Sequence, residues 1–131
     1  MTNKHLTALI IGAASFMFIN ILMGTLGAHL WQDRLLAHNG VTNFATARDY
    51  LAMHALAVLC LAVLADRYPH ARLHLVAWLQ LIGVTLFSGS LMLYALTGIK
   101  WLSQITPLGG STLLVSWLLV AWRATKLRPK P

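Results

Sequence analysis

The chain has 131 residues and a formal net charge of +7, with only three carboxylates (Asp33, Asp49 and Asp66) and no glutamate. Apolar residues make up 58% and charged residues 10%, too little polar side chain to cover a soluble domain. A single cysteine, Cys60, excludes an intramolecular disulfide, and no zinc or thioredoxin spacing is present.

A membrane-spanning helix needs about 20 mostly apolar residues. Four runs meet or approach that length, which predicts an all-α, four-span transmembrane bundle running up-down-up-down. The spans fall at about residues 6–30, 48–66, 73–97 and 106–123 of one membrane domain. Lys4 followed by an apolar stretch superficially suggests a cleavable signal. That stretch runs well beyond the roughly 7–15 residues of a signal core, so it reads as a retained span.

After the first span comes an outer loop, residues 31–47. Its Trp31-Gln32-Asp33-Arg34-Leu35-Leu36 opening suits a short interfacial helix, and His38-Asn39-Gly40 a turn. Thr42 or Asn43 is placed to cap the second span, which then begins ahead of its apolar part. Asp66-Arg67-Tyr68-Pro69-His70 breaks the chain before the third span. Gly98 ends the third span, Trp101 marks the interface, and Thr106-Pro107 opens the fourth.

Charge sets the expected orientation. One side holds Lys4, Arg67, Arg72, Arg123, Lys126, Arg128 and Lys130, and the other Arg34, Arg48 and Lys100. By the positive-inside rule both termini are cytoplasmic, with residues 124–131 as a basic tail at the headgroups. A basic tail beside a span does not imply a nucleic-acid partner.

Between spans there is no hydrophobic force, so small residues mark where helices approach closely. The third span carries Gln80, Gly83, Phe87, Ser90, Tyr94 and Thr97 at alternating spacings of three and four. The fourth offers Gly109, Thr112, Ser116 and Arg123, and the first Phe16, Asn20, Gly24 and Gly27. These three faces are expected to meet in the interior.

Among the histidines, His5, His70 and His74 fall at one boundary and His38 in the outer loop. His29 ends the first span and His54 lies four residues past Tyr50, so both belong to the outer third of the membrane. Ser88, Ser90, Tyr94 and Thr106 fall at a similar depth, with Asn20 and Gln80 deeper. Ionisable groups at such depth are expensive and point to function by default. Three readings of His29 and His54 stand open: neutral imidazoles that fix the bundle, a polar ligand or proton-responsive site, and bis-histidine haem or metal ligation. The phase of His29, shared with Thr25 rather than with the Asn20–Gly24–Gly27 face, disfavours haem.

Several segments resemble the bacterial inner-membrane family called domain of unknown function 423, whose eukaryotic relatives include transmembrane protein 256. They are Gly27-Ala28-His29, Met53-His54-Ala55-Leu56, Leu86-Phe87-Ser88-Gly89-Ser90-Leu91, Ala95-Leu96-Thr97-Gly98 and Ile105-Thr106-Pro107-Leu108-Gly109-Gly110. The resemblance covers nearly the whole chain. Phe-Ser-Gly-Ser-Leu and Thr-Pro-Leu-Gly-Gly together are its specific part, and their glycines (Gly89, Gly109, Gly110) join the expected packing positions. It implies a four-span fold in the bacterial inner (plasma) membrane and supplies no activity. This chain departs from the pattern at Leu26 and Leu30, where the family has an aromatic residue and a glycine. It has methionine at Met53 and Met92, where tyrosines are usual.

The sequence therefore supports two leading expectations. One is a passive small-ligand-binding or permeation bundle with an outer polar vestibule of His29, His54, Ser88, Ser90, Tyr94 and Thr106, backed by Asn20 and Gln80. The other is an accessory or assembly subunit that docks on a larger membrane complex, or on copies of itself, through its glycine and serine faces. Besides the lipid bilayer these are the expected partners. No cofactor is expected, and no catalytic constellation is present, so an enzyme ranks third alongside haem binding. Multidrug exporters of this size resemble a pattern with an intramembrane glutamate, which this chain lacks.

Overall fold

A computed structural model describes residues 3–128. Residues 129–131 of the basic tail, Lys130 among them, lie outside the described residues. Six helical elements follow in order: α1 (Asn3–Ala28), α2 (Gln32–Ala37), α3 (Val41–Arg67), a single 3₁₀ turn (Pro69–Ala71), α4 (Leu73–Thr97) and α5 (Leu102–Ala124). Four of them, α1, α3, α4 and α5, are long and apolar enough to cross a membrane. In hydrocarbon every backbone N–H and C=O has to be satisfied within the segment, and an uninterrupted helix does this.

The bundle is not a symmetric square. α4 is the most enclosed helix and packs extensively on both α5 and α3, while α3 also carries α1. α1 touches α4 lightly and has at most marginal contact with α5. The small-residue faces of the first and fourth spans therefore do not meet in a shared interior, contrary to expectation. Gly24 and Gly27 of α1 seat Arg48 and Phe44 of α3, and Gly109 of α5 lies against the backbone of Phe87 and Gly83 in α4. Each glycine-bearing helix approaches its own neighbour, because close approach is a pairwise property.

Two apolar clusters divide the interior by depth. One holds Leu9, Ala13, Val58, Leu61, Ala62, Leu73, Val76 and Ala77. The other, toward the opposite end, holds Leu35, Phe44, Ala47, Leu51, Val84, Met92 and Leu113. Leu35 ties the interfacial α2 into this second cluster. Gly40 is pressed onto the backbone of Ala95 near the end of α4, so the turn before α3 is held against the bundle.

Three local expectations change. Gly40, not Thr42 or Asn43, occupies the N-cap of α3, with no side-chain cap bond. α5 begins at Leu102, so Pro107 sits inside the helix rather than in its opening turn. Burial of Leu102 favours the earlier start, at the cost of the bond that the Ser103 carbonyl would have accepted from residue 107. Arg48, counted among the outer-side charges, stands two turns inside α3 against α1. Gly98 does end α4, with a left-handed φ of 69° that suits glycine.

Candidate functional site

The expected vestibule residues fall on three separate seams. On the α3–α4 seam, the Ser88 hydroxyl donates to the Ala47 carbonyl at 2.7 Å. On the α4–α5 seam, the hydroxyls of Ser90 and Thr106 share a 2.7 Å hydrogen bond. Ser90 also gives its single proton to the Leu86 carbonyl, so Thr106 is the donor between the two hydroxyls. Asn20 is buried on the α1–α3 seam, where its backbone carbonyl accepts from Arg48 Nε at 3.3 Å and its side-chain Oδ1 has no partner. His29 follows the last residue of α1 and is exposed. Among the described residues no hydrogen bond or ring contact joins His29 to His54. Tyr94 is half-buried. Gly89 does not pack on a helix, since a Cβ there would meet nothing within 4 Å.

Among the described residues His54 is the best-enclosed ionisable side chain, 2% exposed. Trp117 Nε1 on α5 approaches its Nε2 at 3.0 Å. An indole N–H only donates, so His54 Nε2 accepts and the ring proton resides on Nδ1. That proton is given to the Tyr50 carbonyl one turn back, at 2.8 Å. His54 is thus a neutral imidazole with both nitrogens engaged, bridging α3 to α5 although these helices pack little on each other directly.

Above this bridge, α3 and α5 part to leave a groove of about 320 Å³ lined by Tyr50, Met53, His54, Phe87, Gly110, Leu113, Leu114 and Trp117. Phe87 of α4 faces Tyr50 with ring centroids 4.4 Å apart. Gly110 leaves the Phe87 ring open, with a Cβ at 110 reaching only ordinary contact distance, 3.5 Å. The groove is apolar, and it opens sideways between two membrane helices toward lipid.

Gln80 lies one layer deeper. It is fully buried, and neither its amide nitrogen nor its carbonyl oxygen has a partner. Gln80 precedes Ser90 by ten residues and Ser116 follows Thr106 by ten, so the antiparallel register brings Gln80 level with Ser116. The buried Ser116 hydroxyl is turned to the Leu113 carbonyl of its own helix.

Sequence reasoning missed Trp117, Tyr50 and Arg48. Trp117 carried a usable signal: it stands seven residues inside the end of α5, away from the interfacial belt where tryptophan is at ease. An indole N–H at that depth requires a partner. Arg48 gave no such signal, because its seat on Gly24 depends on how α3 crosses α1.

Four membrane-length helices, pairwise glycine seams and a lipid-facing groove define a small polytopic integral membrane protein. The chain belongs to the DUF423 family, described as a protein of unknown function, whose model matches residues 23–110. It is 33% identical over 130 residues to the UPF0382 inner membrane protein YgdD of Escherichia coli K12, covering 99% of this chain and 96% of the relative. It is also 32% identical over 125 residues to the UPF0382 membrane protein YwdK of Bacillus subtilis (90% and 95% covered). A Haemophilus influenzae UPF0382 membrane protein is 33% identical over 127 residues (96% and 97%). No solved structure matches the chain. Relatives and spans together place it in the bacterial inner membrane as a multi-pass protein.

Proposed function

We propose that this protein is a passive, non-catalytic binding bundle that takes a small apolar ligand from the lipid phase into the α3–α4–α5 groove. The observation that carries this reading is the groove itself. Its volume of about 320 Å³ falls within the usual range of ligand pockets, and its floor is a ring, Phe87, left uncovered by Gly110. Tyr50 at its edge has a hydroxyl with no hydrogen bond among the described residues, a handle for one polar end of a ring-bearing ligand. Binding is favoured over permeation because the deeper polar side chains, Asn20 and Gln80, lie on different seams and form no common path.

Purification of the wild type and Gly110→Leu in gentle detergent, with mass spectrometry of bound small molecules, tests the reading. A leucine at 110 projects into the groove without disturbing the α4–α5 backbone contact. A small molecule retained by wild type and lost from the variant is expected. Equal retention, or none in either, sinks the proposal. The apolar surfaces of α1 and α5, the two least enclosed helices, favour the accessory-subunit reading as a second possibility, and a stoichiometric larger complex on purification would establish it.

The charge asymmetry supports cytoplasmic termini. A reporter fused to the C-terminus that is active only in the cytoplasm tests this, and activity only of a periplasmic reporter would reverse the orientation.

A further inference from the structure

At the membrane face where α1 begins and α5 ends, three helices bring basic side chains together. α1 contributes His5, the N-cap and first turn of α4 contribute Arg72 and His74, and the end of α5 contributes Arg123. The rings of His5 and His74 lie 5.9 Å apart. Arg123 Nη1 donates to the Ala71 carbonyl at 2.9 Å and reaches that of Arg72 at 3.4 Å, fixing the end of α5 beside the start of α4. His5, Arg123 and Arg72 each act electrostatically on His74.

Three features make this more than a solvated basic edge. His74 Nδ1 and Arg123 Nε are both buried without a partner. Arg72 holds a left-handed backbone, φ 51° and ψ 36°, which non-glycine residues adopt at a cost and which tends to mark functional positions. Among the described residues no carboxylate pairs with the cluster, although its two guanidiniums lie beside a low-dielectric slab, where like charges repel unless an anion neutralises them. The first-turn N–H groups of α4 add the positive end of a helix dipole at the same place.

We propose that His5, Arg72, His74 and Arg123 form a binding site for a phosphate group. Imidazole and guanidinium N–H groups arriving from three helices suit the several acceptor oxygens of a phosphate. Two sources carry that chemistry: the phosphodiester of an anionic phospholipid, which lies at this depth, and free inorganic phosphate.

The test is the thermal stability of the purified protein in a neutral detergent. Phosphatidylglycerol, phosphatidylcholine, oleate or sodium phosphate is titrated in at constant ionic strength. The wild type is expected to gain stability with phosphatidylglycerol, with inorganic phosphate or with both, and not with phosphatidylcholine or oleate. A response to phosphatidylglycerol alone identifies the lipid, and a response to phosphate alone the free anion. Arg123→Gln is unsuitable as the sole variant because Arg123 also holds the Ala71 carbonyl. The side chains of His5, Arg72 and His74 make no hydrogen bond among the described residues, so Arg72→Gln and the double variant His5→Gln/His74→Gln keep the fold. Loss of the Arg72 charge is expected to weaken half-maximal stabilisation about fivefold, and loss of the two imidazole N–H donors to weaken it as well. Equal stabilisation by oleate or phosphatidylcholine, no response to any phosphate, or an undiminished response in both variants overturns the site.

Discussion

Trp117 on α5 and His54 on α3 are joined by a 3.0 Å hydrogen bond that spans 63 residues of sequence and fixes the imidazole tautomer. Trp117→Phe preserves most of the ring and removes the donor, leaving His54 Nε2 buried and unpaired. The expected loss of stability is about 1–3 kcal/mol, read by thermal unfolding in detergent. Nitrogen NMR of the wild-type histidine should show the proton on Nδ1, and a proton found on Nε2 would refute the geometry.

Two adjacent glycines should respond very unequally to the same substitution. A methyl at 109 runs into the Phe87 backbone nitrogen, and lies 2.8 Å from the Gly83 carbonyl, groups that cannot rotate away. A methyl at 110 meets only the Phe87 ring, at 3.5 Å. Gly109→Ala should therefore push α4 and α5 apart and cost several times what Gly110→Ala costs. The latter should fall within about 0.5 kcal/mol of wild type. Similar melting temperatures for the two variants would contradict the packing assigned to this seam.

The spans and the α4–α5 seam were legible because they rest on local signals: apolar run length, and small residues at three- and four-residue spacing. The same spacing on α1 marked a true packing face but could not say that its partner is α3. That depends on α4 occupying the centre of the bundle. The candidate site was only partly readable. His54, Ser88 and Ser90 stood out as polar groups at depth, yet sequence depth alone does not distinguish Ser88 turned to α3 from Ser90 turned to α5. Nor does it show His29 left outside, because α1 stops at Ala28.

Gln80 gives a prediction of the reverse sign. Its buried amide carries an unpaired donor and an unpaired acceptor, each a desolvation loss of about 1–3 kcal/mol. Gln80→Leu is close in volume and removes both. The variant should unfold at higher temperature than wild type, an uncommon outcome for a core substitution. A lower melting temperature would mean that the amide is satisfied in the membrane, by water or by a turn toward Ser116.

Arg48 and Gly24 should prove energetically coupled. The guanidinium lies over the position a Cβ on residue 24 would occupy, while Nε donates to the Asn20 carbonyl at 3.3 Å. Gly24→Ala displaces the guanidinium and strains that bond. Arg48→Ala removes both the bond and the cover over α1. Once the arginine is gone the methyl at 24 has nothing left to displace, so the double variant should lose less stability than the two single losses combined. The expected coupling is about 0.5–3 kcal/mol, measured as a double-mutant cycle of unfolding free energies. Strict additivity would show that Arg48 leaves α1 and extends toward the membrane surface. In that case the outer half of the α1–α3 contact rests on Gly27 and Phe44, and its other half on Leu9 and Ala13 against Val58, Leu61 and Ala62.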